Sequence, residues 1–131
     1  MLITPEIKER VAKIAEKYGL DLVVLFGSQA TGKVHKESDI DLAVLSRHSF
    51  NEYQMSAELE NVFHRSDIEM VDLSSASPTL MYCVVSDGVL LYEKEAEAFF
   101  IWKMYALQVW RDTEWLRNLR DKKLIEWAHS V

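Results

Sequence analysis

The sequence predicts a single α/β domain, of the α+β kind, in which helices pack against a short mixed β-sheet and a long C-terminal helical segment follows. Four short apolar runs bounded by turn residues are typical of buried strands. Segments with apolar residues at helical spacing lie before and between them. The 131 residues, 49% hydrophobic and 27% charged, suit one ordinary domain with a core of about 1–93 and a C-terminal segment of about 94–129.

The first elements are a helix and a strand. Thr4 can cap the helix, Pro5 suits its first turn, and Gly19 can end it. A strand is expected at about 21–26. The apolar stripe of the helix consists of Ile7, Val11, Ile14, Ala15 and Tyr18.

A second strand is expected at about 39–45 and a third at about 68–73. Between them, Ser49 is the candidate cap of a helix over 50–63. The expected apolar stripe of that helix consists of Tyr53, Ala57, Leu59 and Phe63.

A short helix over 79–85, opened by Ser77 and Pro78, precedes a fourth strand at 89–92. Cys83 lies on this apolar helix and is expected in the core. It is the only cysteine, so an internal disulfide is excluded.

The segment from 94 to 129 contains neither proline nor glycine and reads as one long helix, or two with a bend. Its apolar residues occupy more than one side. One reading is that a partner, in a homo- or hetero-oligomer, covers the extra face. The other is that two shorter helices fold back and bury it internally. The stripe expected to cover the sheet consists of Trp102, Tyr105, Val109, Leu116 and Leu119, while Phe99, Trp110 and Trp127 fall partly outside it.

The connection between the first two strands carries the candidate chemistry. Gly27 and Ser28 end the first strand, where backbone N–H groups and a hydroxyl suit a phosphate. Asp39 and Asp41 share one face of the second strand, because side chains alternate along a strand. Two like charges side by side are unfavourable unless a cation lies between them, and oxygen ligands favour magnesium. The sequence therefore predicts a phosphate site beside a magnesium site.

Gly-Ser, ten intervening residues and then Asp-x-Asp resembles the signature of the DNA polymerase β-like nucleotidyltransferase superfamily. The fuller pattern, Gly-Ser-x-Ala-x-Gly followed by Ser-Asp-Ile-Asp-Leu, resembles the minimal nucleotidyltransferases over about residues 20–93. The chain departs from that pattern at Thr31, where the family usually has a basic residue. Lys33 and Lys36 are the candidates to replace it.

The resemblance implies a third carboxylate on the third strand, since two aspartates are few ligands for two metal ions. Glu69 occupies the matching position and shares a face with Asp67. Asp72 lies on the other face and is the alternative. The expected catalytic and metal-binding set is therefore Asp39, Asp41 and Glu69, with Gly27 and Ser28 holding the triphosphate.

The resemblance further implies a function. Many minimal nucleotidyltransferases are antitoxins beside HEPN-domain toxins, so we expect magnesium-dependent transfer of AMP from ATP to a hydroxyl, most simply a tyrosine, of a HEPN toxin. Two alternatives stay open. One is a catalytically weak antitoxin that neutralises the toxin by binding alone, and the other is a nucleotidyltransferase acting on a small molecule.

Composition limits the partners and the location. The formal net charge of −6 disfavours non-specific binding to a nucleic-acid backbone. No apolar run approaches membrane-spanning length, and the N-terminal residues do not resemble a signal peptide. A cytoplasmic location is the expectation.

Overall fold

The structure is a computed structural model that describes residues 3–27, 30 and 39–130. Within these residues it contains four strands and five helices. In chain order they are α1 (Pro5–Tyr18), β1 (Leu20–Phe26), β2 (Ile40–Ser46), α2 (Glu52–Phe63), β3 (Ile68–Asp72), α3 (Pro78–Asp87), β4 (Val89–Glu93), α4 (Ala98–Asp112) and α5 (Glu114–Ser130).

The four strands form one mixed sheet in the order β3-β2-β1-β4, which confirms the predicted fold class. Strand β1 pairs antiparallel with both β2 and β4, whereas β2 and β3 are parallel. Parallel neighbours need a crossover connection, and α2 supplies it. The predicted strand bounds differ from those observed by at most one residue at either end.

Helices cover both faces of the sheet because the central strands are apolar on both sides. Helices α1 and α2 pack on the face formed by Val23, Leu25, Leu42 and Val44. Helices α3 and α4 pack on the opposite face, formed by Leu22, Val24, Phe26 and Ala43. The core is therefore a helix–sheet–helix sandwich with β1 and β2 at its centre.

The ends of α1 agree with the sequence. The Thr4 hydroxyl accepts a hydrogen bond from the Ile7 N–H at 3.2 Å. Gly19 takes a left-handed conformation with φ of 68°, and its N–H donates to the Ala15 and Glu16 carbonyls. This turn lets β1 begin directly under the helix.

Helix α2 corrects two predictions. It begins at Glu52, and its cap is Asn51, whose side chain accepts a hydrogen bond from the Gln54 N–H at 3.0 Å, rather than Ser49. Tyr53 is 86% exposed, so its expected place on the apolar stripe was wrong. Ala57 is also exposed. The true buried face consists of Met55, Leu59, Val62 and Phe63.

Cys83 was expected in the core and is exposed instead. Helix α3 buries Met81 and Val84, which are one turn apart. Cys83 lies between them in sequence and therefore on another side of the helix.

The C-terminal segment forms two helices that separate at Thr113, whose hydroxyl donates to the Val109 carbonyl at 2.7 Å. Helix α4 packs on the sheet through Phe99, Trp102 and Ala106. Helix α5 buries none of its residues, so the internal fold-back reading was wrong. The expected sheet-covering stripe was also wrong beyond Trp102 and Val109, because three of its members are exposed: Tyr105, Leu116 and Leu119.

Across the described parts of the chain, none of the helices combines the length and the apolar character needed to cross a membrane.

Candidate functional site

The site predicted from the sequence lies at one end of the sheet. Because β1 runs antiparallel to β2 and β2 runs parallel to β3, the end of β1 lies beside the starts of β2 and β3. Phe26 pairs with Asp41, and Asp41 pairs with Glu69. Residues far apart in sequence are therefore side by side at this end.

The strand register places Asp41 and Glu69 on the same face of the sheet. Both belong to the face that α3 and α4 cover further along, where Ala43 and Val71 continue the same alternation. Directly paired side chains on neighbouring strands lie close together. Asp39 precedes β2 and is exposed at the same end.

Asp72 does not belong to this group. It pairs with Val44 on the opposite face and at the far end of β3. Its carboxylate accepts hydrogen bonds from the Ser74 N–H at 2.9 Å and the Ser74 hydroxyl at 2.7 Å. Asp72 therefore organises the turn after β3.

The electrostatics of Asp41 reflect its neighbours. Burial raises the pKa of its carboxyl group above the ordinary value, and the negative charges of Glu69 and Asp39 raise the pKa further. A carboxylate held in this way gains from a nearby cation.

Gly27 is the residue that lets the end of β1 approach Asp41. Its φ is 77°, a left-handed conformation that favours glycine. A Cβ atom on Gly27 would collide with the Asp41 carboxylate. Ser28, the other half of the predicted phosphate site, lies outside the described residues, as do Thr31, Lys33 and Lys36.

The sequence reasoning missed Arg65. Its Nε donates a hydrogen bond to Asp67 Oδ1 at 2.8 Å, and a second guanidinium nitrogen contacts Asp67 Oδ2. This pairing lowers the pKa of Asp67 and raises the pKa of Arg65. The nearby negative charge of Asp39 raises the pKa of Arg65 further. The only signal was the spacing Arg65-x-Asp67 just before β3. Asp67 is consequently paired rather than available, although it follows the same alternation as Glu69.

The site offers carboxylate oxygens as donors for a divalent ion. Among the described residues, no three Asp, Glu, His or Cys side chains are gathered as a ready set of metal ligands. The chemistry nevertheless fits, because carboxylate oxygens are the donors that Mg²⁺ takes and Asp41 bears repulsion that a cation would relieve. The assignment of Asp39, Asp41 and Glu69 to magnesium stays a prediction.

Residues 9–97 match the family model described as polymerase β, nucleotidyltransferase. The match includes every strand and the Asp39, Asp41 and Glu69 positions. A protein adenylyltransferase MntA from Shewanella oneidensis is 36% identical over 87 residues, which are 63% of this chain and 62% of the relative. The chain thus covers less than two thirds of that relative's length.

Two solved structures extend the likeness to the C-terminal helices. A toxin–antitoxin with AMP-PNP has a TM-score of 0.76 at 24% identity and covers 90% of this chain and 98% of its own. A tri-AMPylated Shewanella oneidensis HEPN toxin in complex with MNT antitoxin has a TM-score of 0.69 at 22% identity. That match covers 91% of this chain and 96% of the matched chain. At these identities the likeness establishes the fold alone.

Proposed function

This chain belongs to the polymerase β nucleotidyltransferase family, and from that premise we propose that it transfers AMP from ATP to a hydroxyl group of a partner protein. The proposed acceptor is a tyrosine of a HEPN toxin, which the modification silences. The name of the Shewanella relative and the toxin–antitoxin neighbours support this choice of reaction and partner.

The observation that carries the proposal is the pairing of Asp41 with Glu69 beside Gly27. Carboxylates brought together beside the end of a strand are the donors that a metal-assisted nucleotidyl transfer needs. Structural ion pairs do not explain it, because Asp41 has the like charges of Glu69 and Asp39 nearby and forms no ion pair with a described residue.

Asp39, Asp41 and Glu69 would hold Mg²⁺, which on binding lowers the pKa of the attacking hydroxyl and neutralises charge on the phosphates. Glu69 takes the proton of the acceptor hydroxyl. At the same time the oxygen of that hydroxyl bonds to the α-phosphorus of ATP, and the bond from this phosphorus to pyrophosphate breaks. Gly27 and Ser28 would hold the triphosphate, as the resemblance of the sequence implies. The products are an AMP-modified protein and pyrophosphate.

An exposed apolar surface supports a protein acceptor over a small molecule. Helix α4 exposes four large side chains within two turns, and α5 buries none of its own. Large apolar side chains exposed in such number are typical of protein interfaces. We call this the C-terminal apolar surface; it consists of Phe100, Ile101, Met104, Tyr105, Trp115, Leu116, Leu119, Leu124, Ile125 and Trp127.

The test is to incubate the protein with the product of its neighbouring gene, ATP and magnesium, and to weigh both proteins by mass spectrometry. We expect the partner to gain the mass of one or more AMP groups, on tyrosine, and to gain nothing when EDTA is added. A partner that forms a complex but keeps its mass would instead establish neutralisation by binding alone, which the C-terminal apolar surface also favours.

A further inference from the structure

A groove runs beside the outer edge of β3, next to the carboxylate site. Strand β3 is at the edge of the sheet, and no described strand pairs with its outer side. The groove has a volume of about 540 Å³. The first two turns of α2 form one wall and β3 forms the other, with Glu52, Tyr53, Ser56, Ile68, Glu69 and Met70 as the lining residues.

Glu69 joins this groove to the reaction site. It lines the groove and is also the β3 partner of Asp41. Side chains of a segment that pairs with β3 would alternate between the two faces of the sheet. The residue opposite Glu69 would lie on the face of the carboxylates, and its two neighbours would lie on the face covered by α2. The nucleotide would occupy the other side of the carboxylates, next to Gly27.

The lining indicates the chemistry of the occupant. Tyr53 is 86% exposed and contributes nothing to the core, so its ring is available for a partner. Glu52 and Glu69 both line the groove, and none of its described lining residues is basic. The charge is complementary to a segment with Arg or Lys beside the acceptor.

The backbone indicates the shape of the occupant. An edge strand presents outward N–H and C=O groups along one side. An extended segment can add to such an edge through main-chain hydrogen bonds, while its side chains occupy adjacent pockets. The groove is open to solvent along its length, as an extended segment lying along the edge strand requires.

We propose that this groove binds the acceptor segment of the partner protein: an extended, positively charged stretch that lies along β3 and places its tyrosine hydroxyl at Glu69. The inference rests on the proposed transfer of AMP to a partner tyrosine and adds where that tyrosine binds. Glu52 and Tyr53 act as acceptor-binding residues, whereas the C-terminal apolar surface supplies the remaining contact.

The first test compares steady-state AMP transfer to the partner by Tyr53→Ala and Glu52→Lys with transfer by the unaltered protein. Each variant should raise the KM for the partner about ten-fold, while kcat and the affinity for AMP-PNP stay within about two-fold. Gln54→Ala is the control for Tyr53, since it is an exposed neighbour outside the groove. Glu6→Lys is the control for Glu52, since both glutamates lie in the first turn of a helix. A KM unchanged in both groove variants would overturn the proposal.

A second test works even if no AMP is transferred. Tyr53 or Gln54 is replaced by p-benzoylphenylalanine, and the complex with the partner is irradiated and digested. Cross-links from position 53, and not from position 54, should map to a peptide of the partner that contains a tyrosine and basic residues. Cross-links to another region, or none from position 53, would contradict the groove. Such cross-links without AMP transfer would refute the proposed reaction and leave the groove supported.

Discussion

At the scale of single residues, the site depends on how Gly27, Asp41 and Glu69 meet. Each alone is ordinary: a glycine after a strand, an aspartate in a strand and a glutamate on an edge strand. The β2–β3 register brings the two carboxylates together, and Gly27, which has no Cβ atom, leaves space for the carboxylate of Asp41. The geometry of the site therefore depends on three separate segments of the chain, namely the end of β1 and the first residues of β2 and β3.

The strand-three carboxylates can be separated by mutation. Glu69→Gln should lower the rate of the proposed AMP transfer by roughly 10²–10⁴, because the variant lacks the carboxylate that is proposed to accept the proton. Asp72→Asn is the matched control on the same strand and should change the rate little, since Asp72 faces the other side and binds Ser74. Transfer rates measured side by side decide it. An inactive Asp72→Asn beside an active Glu69→Gln would mean that the catalytic roles are reversed.

Gly27→Ala tests the close approach of β1 to Asp41. The backbone at this position is left-handed, which alanine disfavours, and the added Cβ atom would collide with the Asp41 carboxylate. We expect a loss of about 1–3 kcal/mol in the free energy of unfolding, measured with urea, together with loss of AMP transfer. Gly19→Ala is the control: it too has positive φ, but its Cβ would meet nothing within 4 Å. Gly19→Ala should therefore destabilise the protein while the folded fraction keeps its activity, and equal activity loss in both variants would contradict the role of Gly27.

At the scale of elements, α1 and α2 are linked by one cluster of polar side chains. The Lys17 ammonium group donates to Glu58 Oε1 at 2.7 Å, and the Tyr18 hydroxyl donates to Glu58 Oε2. Both contacts hold the pKa of Glu58 below its usual value, and the Lys17 contact is the larger cause. The contacts thereby connect the two helices that cover the same face of the sheet.

Glu58→Gln should lower the thermal midpoint at neutral pH. A carboxylate with a lowered pKa stabilises the fold above its unfolded pKa, and this stabilisation is lost as the pH falls through the folded pKa. The difference between Glu58→Gln and the unaltered protein should accordingly shrink as the pH is lowered below 4.5, the usual value of this group. Glu9→Gln, which breaks only a pair with Lys13 within α1, is the control. A difference that is independent of pH would show that the charge of Glu58 is not its cause.

The sequence patterns predicted the positions of the strands better than they predicted which face of each helix is buried. The strands could be located because their apolar runs are short and bounded by turns. Tyr53 was misplaced because the Asn51 cap and the buried face of α2 depend on how the helix meets the sheet. Cys83 was misplaced for the same reason, since Met81 and Val84 determine the buried side of α3. Arg65 had no sequence signal beyond its closeness to Asp67, and only the register established that Asp41 and Glu69 are paired.

At the scale of the whole molecule, the sheet and its helices form a compact support with two exposed features. The carboxylate site with the β3 groove lies at one end and edge of the sheet, and the C-terminal apolar surface lies on α4 and α5. The burial of Phe99, Trp102 and Ala106 attaches α4 to the sheet, whereas α5 has no buried residue. The fold thus has two separate surfaces, one for the proposed contact with a partner protein and one for its proposed modification.

The most direct measurement of the central claim is the effect of Asp41→Asn on both activity and stability. Because burial and two like charges raise the pKa of Asp41, removing its charge should leave the thermal midpoint without metal equal or higher. The same variant should lose AMP transfer to the partner, followed by intact mass in the presence of ATP and magnesium. Transfer at the rate of the unaltered protein by a folded Asp41→Asn would contradict the account.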